Sequence, residues 1–202
     1  MKVITIQVGM MENNCYLVYD DNKNAICIDS GFDFLYILSE VKRNELKLKK
    51  IILTHGHFDH ISAVENLRMK TGAEVLAYRE EQYVIENDHF RKQFKYDSPS
   101  EVTYIDEGEL VCGDLKFQVI HTPGHTQGGI CLYIENALFS GDTIFRHYIG
   151  RCDLPTGDIE KTTDSIMNKL FTLPDDTIIY PGHNEATTIG QEKKDNEVYK
   201  WL

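Results

Sequence analysis

Positive charge is scarce in this sequence. It has 21 lysines and arginines against 32 aspartates and glutamates, a formal net charge of −11. A surface of that sign repels phosphate backbones, so we expect no nucleic-acid partner. No apolar run approaches the ~20 residues that cross a bilayer, so we expect no membrane association. The opening stretch, MKVITIQVGMMENN, has one lysine and no apolar core of a signal peptide, and we therefore expect a cytoplasmic location.

Paired cysteines are also lacking. The five cysteines are an odd number and show no C-x-x-C spacing, which argues against a disulfide framework and against a thiolate zinc site. Cys15, Cys27 and Cys131 lie in apolar, strand-like runs and are expected to be small buried residues. Cys152 lies in a polar loop, where a reactive thiol is possible in principle, but we expect an ordinary loop residue.

What remains is an ordinary globular composition, 42% hydrophobic and 26% charged over 202 residues, enough for one substantial core. Apolar runs bounded by turn residues predict strands at 2–8, 14–20, 25–31, 49–54, 73–78, 101–106, 109–113, 115–121, 129–135, 137–142 and 177–183. Apolar periodicity predicts helices at 34–48, 61–72 (closed by Gly72), 79–87, 158–171 (opened by Asp158) and 190–202, with a surface excursion at 88–100. Two strand blocks, each followed by helices, predict one domain with two stacked sheets and helices outside.

The most unusual segment is THGHFDH at 54–60, which holds three of the chain's eight histidines. His55 and His57 are two residues apart, so in an extended segment they point the same way. Asp59 and His60 are adjacent and point apart, so they can serve a second centre. Four such groups in six residues exceed what one tetrahedral ion accepts from a short loop. We interpret the segment as part of a metal site, not as a polar turn.

Three later strands also end near a metal-binding side chain. The run LKFQVIHTPG leads to His125, ALFSG leads to Asp142, and TIIYPG leads to His183. A glycine precedes each of these residues and allows a sharp turn that aims the next side chain inward. Rigid strands with short turns can place ligands within the tolerance that a metal requires. Two ions that share one carboxylate would account for all seven groups.

The other polar candidates are interpreted as structural. His89, His121 and His147 are expected to be loop or strand residues, with His147 close enough to Asp142 to reach the rim of the site. Asp29 ends the strand AICID, where it either hydrogen-bonds a ligand histidine or only forms a turn.

In these motifs the chain resembles the metallo-β-lactamase-fold hydrolases over nearly its whole length. The segment from His55 to His60 matches the superfamily's H-x-H-x-D-H motif, and TPGHT, SGDT and PGH match its later motifs in the same order. The resemblance implies an α/β (α+β) four-layer αββα sandwich with metals at the edge of the two sheets. It further implies two ligand sets joined by a bridging carboxylate. The first set is His55, His57 and His125, the second is Asp59, His60 and His183, and the bridge is Asp142.

Within the superfamily the chain is most similar to the short bacterial glyoxalase II (hydroxyacylglutathione hydrolase-like) proteins, which share a loop like GRCDLPTGD at 150–158. Glyoxalase II proper has a C-terminal helical domain that helps to hold glutathione, whereas only about one predicted helix follows His183. We therefore expect a single domain over 1–202 without that helical domain, and no selectivity for glutathione.

The resemblance implies a small-molecule hydrolase in which a hydroxide held by two divalent ions attacks a thioester or ester carbonyl. Asp59 is the expected catalytic residue because it would orient the nucleophile besides binding metal. Nitrogen and oxygen ligands without thiolate favour zinc, with iron or manganese as alternatives. One rival is an oxygenase similar to the persulfide dioxygenases, with a single iron, and another is a non-catalytic metal-binding module. The sequence assigns neither a substrate nor an oligomeric state.

Overall fold

The computed structural model describes residues 1–87 and 90–202. His89, interpreted above as a polar loop residue, lies outside the described residues. In the described part, twelve strands form two sheets of six. The first sheet contains β1 (Lys2–Val8), β2 (Asn13–Tyr19), β3 (Asn24–Ile28), β4 (Lys47–Ile52), β5 (Glu74–Tyr78) and β6 (Thr103–Ile105). The second contains β7 (Gly108–Cys112), β8 (Leu115–His121), β9 (Ile130–Ile134), β10 (Ala137–Gly141), β11 (Ile178–Pro181) and β12 (Thr187–Thr188).

Both sheets combine antiparallel and parallel pairing. In the first, β1 to β3 are antiparallel neighbours and β3 to β6 are parallel ones. In the second, β7 to β10 are antiparallel, and β11 then pairs parallel with β10. Parallel neighbours need crossover connections, which place helices on the outer faces of the sheets. Central strands are then buried on both sides, which explains apolar runs such as AICI in β3.

The helices are shorter than the sequence predicts. They are α1 (Phe34–Arg43), α2 (Phe58–Ile61), α3 (Val64–Thr71), α4 (Gln82–Glu86), α5 (Arg91–Phe94), α6 (Ile159–Asp164) and α7 (Ile189–Asp195). Short 3-10 turns lie at Arg79–Glu81, Leu170–Thr172 and Glu197–Trp201, and a π turn lies at Ser165–Lys169. Within the described residues, none of these helices has the length and apolar character needed to cross a membrane.

Several boundaries differ from the prediction for identifiable reasons. The predicted helix 34–48 stops at Arg43, because Lys47 and Leu48 pair with β3 instead. The predicted helix 61–72 is divided between α2 and α3, although it ends at Gly72 as expected, with φ +70°. The excursion 88–100 is less solvated than predicted, since Phe94 packs against the core and Tyr96 is buried.

Three apolar clusters hold the layers together. The central one joins the inner faces of the sheets, with Ile26 and Ile52 on one side and Phe117 and Phe139 on the other. A second joins the first sheet to α1 and α3, and a third joins the second sheet to the segment 166–171 and α7. The order of layers is therefore helices, sheet, sheet, helices, which confirms the predicted four-layer αββα sandwich.

Candidate metal centre

The predicted ligand segments meet at one edge of the sandwich. They follow β4, β8, β10 and β11. Backbone hydrogen bonds join two of these segments within the second sheet and also link the two sheets to each other. Gly182 N donates to Gly141 O at 2.8 Å, Asn14 N donates to Gly182 O at 2.7 Å, and Ile130 N donates to Thr54 O at 2.9 Å. Because these bonds fix the relative position of both sheets, the side chains that project from this edge are held by rigid backbone.

One group of side chains consists of three histidines. The ligand atoms of His55, His57 and His125 all lie within 4.8 Å of one another. His57 Nδ1 and His125 Nε2 are 2.9 Å apart. Burial lowers the pKa of His57 to about 3 and that of His125 to about 4, and it lowers the pKa of His55 well below the usual range. The group therefore presents neutral imidazoles, the form that binds zinc and similar ions.

A second group combines Asp59, His60 and His183, whose ligand atoms also lie within 4.8 Å of one another. Asp59 Oδ2 is 3.2 Å from His183 Nε2 and 3.6 Å from His60 Nε2. Burial opposes protonation of His60, but the carboxylates of Asp142, Asp59 and Asp29 raise its pKa to about 10. Burial also disfavours the Asp59 carboxylate, yet His60 and His183 hold the pKa of Asp59 below its usual range. The group thus combines a carboxylate with two histidines, and a divalent cation would displace the proton of His60 on binding.

Asp142 lies between the two groups. Its Oδ2 is 3.6 Å from His125 Nε2 and 3.7 Å from His183 Nε2, and its Oδ1 is 3.4 Å from His60 Nε2. One carboxylate therefore faces a histidine of the first group and two residues of the second. Such a position suits a carboxylate that contacts two cations at once.

Unpartnered buried atoms show that the side chains fit a metal centre. Among the described residues, His55 Nε2, His60 Nε2 and Asp142 Oδ1 are buried and have no hydrogen-bond partner. Buried polar atoms almost always have a partner, so three without one in a single cluster indicate a missing ligand. The six residues of the two groups together with Asp142 offer seven nitrogen and oxygen donors with no thiolate, which fit two divalent ions.

The backbone and Asp29 orient these histidines. His60 Nδ1 donates to Asp29 Oδ2 at 2.9 Å, and Asp29 also accepts from Thr54 N and Oγ1. His125 Nδ1 donates to Arg151 O at 2.7 Å, and His183 Nδ1 donates to Met11 O at 3.1 Å. Each of these bonds leaves Nε2 directed at the centre. The alternative in which Asp29 hydrogen-bonds a candidate ligand is confirmed, and Asp29 also ends its strand with φ +54°.

The glycine before Asp142 has the predicted role in a sharp turn, whereas the glycine before His183 is needed for a different reason. Gly141, directly before Asp142, has φ +48°, a conformation that side chains with a Cβ rarely adopt. Gly182 does not have a positive φ, but a Cβ on it would overlap Asp142 Oδ1. Glycine at 182 is therefore required by the close approach of Asp142 and not by the turn itself.

Glu81 is a residue of the site that the sequence did not reveal. It is fully buried, and its carboxylate accepts from Gly56 N at 2.8 Å, Thr126 Oγ1 at 2.9 Å and Gly128 N at 2.9 Å. It thus joins the loop of His55 and His57 to the loop of His125. Burial raises the pKa of Glu81 to about 7 despite the three donors. Nothing in the segment REEQY distinguishes Glu81 from its neighbours, so no sequence signal pointed to it.

The remaining histidine and cysteine candidates in the described part of the chain have partners of their own. His121 stacks on Tyr78 with ring centroids 4.3 Å apart. His147 Nδ1 is 3.2 Å from Asp195 Oδ1, and these two residues form with Glu192 a group separate from the two groups of candidate ligands. Cys152 Sγ contacts Thr162 Oγ1 at 3.0 Å, and burial raises the pKa of the thiol, which disfavours the reactive thiolate.

A cleft of about 520 Å³ opens directly over the candidate ligands. His57, Asp59, His125, Asp142 and His183 all line it. Residues from two further segments of the chain complete its lining. These residues are Phe90 and Phe94 from 88–100, and Phe145, Arg151 and Leu154 from 143–158.

Comparison with known proteins agrees with this geometry. The family model of the metallo-β-lactamase superfamily matches residues 8–183. Hydroxyacylglutathione hydrolase GloC of Haemophilus influenzae is 36% identical, over 97% of this chain and 97% of its own length. The crystal structure of the B3 metallo-β-lactamase BLEG-1 has a TM-score of 0.89 at 34% identity, covering 97% of this chain and 98% of its own. TTHA1623 in a di-iron-bound form has a TM-score of 0.87 at 31% identity, covering 96% and 99%. The chain belongs to the metallo-β-lactamase superfamily, whose members bind dinuclear metal centres and are mostly metal-dependent hydrolases.

Proposed function

We propose that this protein is a dinuclear metal-dependent hydrolase of thioesters or esters, of the glyoxalase II type. The observation that carries the proposal is the position of Asp142 between two groups of candidate ligands, with three buried donor atoms unpartnered. The similarity to GloC, a hydroxyacylglutathione hydrolase, supports the choice of thioesters.

In this proposal His55, His57 and His125 hold one ion, Asp59, His60 and His183 hold the other, and Asp142 contacts both. Two divalent ions would lower the pKa of a bound water to roughly 7 and polarise the substrate carbonyl. Zinc suits the nitrogen and oxygen donors, and the di-iron form of TTHA1623 keeps iron as an alternative.

Asp59 is the proposed catalytic residue of the chain. Its neighbours His60 and His183 hold its pKa below the usual range, so it is an ionised acceptor at neutral pH. It lines the cleft, where its carboxylate can orient a water for attack on a carbonyl.

The cleft favours substrates with a good leaving group. Among the described residues that line it and the adjoining recess, the titratable groups other than the candidate ligands are Tyr83 and Arg151. Neither is a carboxylic acid or an imidazolium, the side chains that most often protonate a leaving group. A thiolate leaves without such help, which supports thioesters over amides.

We also propose that the substrate is a small molecule, that residues 1–202 act as one domain, and that the protein works in the cytoplasm. The net charge of −11 supports the absence of nucleic-acid and membrane partners. Five free cysteines support a reducing compartment.

Metal analysis followed by a substrate panel tests the proposal. Protein reconstituted with zinc, iron or manganese should hold two ions per chain and hydrolyse thioesters, including S-lactoylglutathione. The panel includes a β-lactam, because BLEG-1 is a metallo-β-lactamase, and a persulfide with oxygen-uptake measurement. One iron per chain, together with oxygen uptake, would show that the protein is an oxygenase and not a hydrolase. Metal binding without turnover of any compound would favour the non-catalytic metal-binding module.

A further inference from the structure

We infer that the cleft selects thioesters or esters that carry an apolar, aromatic group, and that it does not hold the carboxylates of glutathione. This inference rests on the proposed function and specifies the substrate class of the same site. It follows from the packing of the cleft wall and from the charges that surround it.

An aromatic wall, Phe58, Phe90 and Phe94, forms one side of the cleft. The rings of Phe58 and Phe94 are stacked with centroids 4.4 Å apart, and the centroids of Phe58 and Phe90 are 4.9 Å apart. Phe32 packs edge-on behind the wall against Phe58 and Phe94. Because Phe58 lies in sequence between His57 and Asp59, the wall adjoins both groups of candidate ligands. A preformed set of rings binds another ring by stacked or edge-on contact.

The apolar lining continues on the other sides. Leu154 lies in the loop whose Arg151 carbonyl orients His125, and Phe145 packs against His183 with ring centroids 6.2 Å apart. A smaller recess shares His57, Phe90 and Leu154 with the cleft and adds Tyr83 and Val84. Binding would therefore transfer an apolar substituent next to the scissile carbonyl from water to an apolar surface, which is favourable.

Apart from the two proposed metal ions, the same surface has almost no positively charged side chain. Among the described lining residues Arg151 is the single cation, and its guanidinium already forms two hydrogen bonds with Asp153, at 2.7 and 2.8 Å. The nearby Arg146 is paired with Glu185 at 2.5 Å. Glutathione thioesters carry two carboxylates at a distance from the thioester carbonyl that the ions would engage. A chain of net charge −11, whose one cationic side chain in the cleft is already paired, offers these carboxylates little attraction.

Matched substrate pairs test the inference. The first pair is the phenylacetyl and acetyl thioesters of N-acetylcysteamine, and the second is the lactoyl thioesters of glutathione and N-acetylcysteamine. With rates normalised to hydroxide hydrolysis in buffer, we expect kcat/KM to favour phenylacetyl by about tenfold or more, as apolar pockets discriminate by such factors. We expect the two lactoyl thioesters to agree within about threefold.

The outcomes separate this inference from the proposed function. Hydrolysis of thioesters with no phenylacetyl preference, or with glutathione favoured more than about tenfold, would overturn the inference and leave the hydrolase intact. A more than tenfold loss of S-lactoylglutathione turnover in Arg151→Gln, with the N-acetylcysteamine thioester unaffected, would also overturn it. No hydrolysis of any thioester or ester by the metal-loaded protein would overturn both.

A matched pair of variants locates the preference. Leu154→Ala shortens a cleft residue, whereas Leu35→Ala makes the same change on α1, where Leu35 is 66% exposed and outside the cleft. We expect Leu154→Ala to lower the ratio of phenylacetyl to acetyl turnover by about fivefold to tenfold at unchanged metal content, and Leu35→Ala to keep the wild-type ratio. An unchanged ratio in Leu154→Ala would show that the aromatic substrate does not bind in this cleft.

Discussion

At the scale of single residues, we expect Asp142 to decide whether the site holds one ion or two. A carboxylate between two dications offsets their mutual repulsion, so its removal should release the ion that is held more weakly. We expect Asp142→Ala to retain about one ion per chain and to lose more than about a hundredfold in thioester hydrolysis. Elemental analysis and kcat/KM measure both effects, and two tightly held ions in the variant would contradict the bridging role.

Glu81 supports the same site because its hydrogen bonds join the two loops that carry the histidines of the first group. Glu81→Ala would leave two backbone N–H groups and the Thr126 hydroxyl buried without an acceptor, at about 1–3 kcal/mol each. We expect a loss of roughly 3 kcal/mol in the free energy of unfolding, together with weaker metal binding. Glu81→Gln keeps one acceptor oxygen, so its free energy of unfolding should lie between those of the wild type and Glu81→Ala.

The neighbouring Glu80 provides the control. Its side chain is 58% exposed and its ion pair with His121, at 3.7 Å, lies at the surface. Because such pairs contribute little, Glu80→Ala should change the free energy of unfolding by less than about 0.5 kcal/mol. Denaturant unfolding and metal titration compare the variants. Equal stability of Glu81→Ala and Glu80→Ala would contradict the role of Glu81.

Asp142 and Glu81 show how far the sequence could predict the site. Asp142 directly follows the strand ALFSG and its final glycine. Such a local pattern can be recognised in the sequence alone. Glu81 acts through partners 25 and 47 positions away, at Gly56 and Gly128. Contacts of that range leave no local signal, so a buried carboxylate and a surface one look alike in the sequence.

At the scale of elements, Glu65 connects α3 to the segment before β6. Its carboxylate accepts from Arg68 at 2.8 and 2.9 Å, from Ser100 N at 3.0 Å and from Ser100 Oγ at 2.9 Å. Arg68 and Ser100 hold the pKa of Glu65 at about 2, below the ordinary value near 4.5. Because the folded state has the lower pKa, this stability is present above about pH 4.5 and is lost as the pH falls towards 2.

We therefore expect Glu65→Gln to lower the free energy of unfolding by about 1–3 kcal/mol at pH 7. The difference from wild type should shrink between about pH 4.5 and pH 2. Glu101→Gln is the control, because Glu101 pairs with the same Arg68 but its side chain is 81% exposed. Unfolding curves across this pH range measure the effect, and a difference that stays constant down to pH 2 would refute it.

Elements also differ in how well the sequence predicts them. The end of α3 at Gly72 and the start of α6 at Asp158 were predicted, because each depends on one residue: Gly72 has φ +70°, and the Asp158 side chain accepts from Glu160 N and Lys161 N. The end of α1 was predicted five residues too late. There the chain leaves the helix to pair with β3, and such a tertiary contact overrides local helix propensity.

At the scale of the whole molecule, the candidate centre joins the two halves of the sandwich. His55, His57, Asp59 and His60 follow β4 of the first sheet, while His125, Asp142 and His183 follow strands of the second. Each group of three contains two residues from the first set and one from the second. Either ion would therefore crosslink the sheets, and metal binding should stabilise the fold as a whole and not only one loop.

Removal of metal should thus lower the melting temperature. An ion present at a thousand times its dissociation constant adds about 4 kcal/mol to the folded state, and 1 kcal/mol shifts Tm by about 2–4 °C in a protein of this size. We expect chelation to lower Tm by roughly 10 °C or more, readdition of zinc to restore it, and Asp142→Ala to show a smaller drop. Chelator saturated with zinc beforehand is the control for effects of the chelator itself. A melting temperature that does not respond to chelation, in protein shown by elemental analysis to have lost its metal, would mean that the ions do not hold the two sheets together.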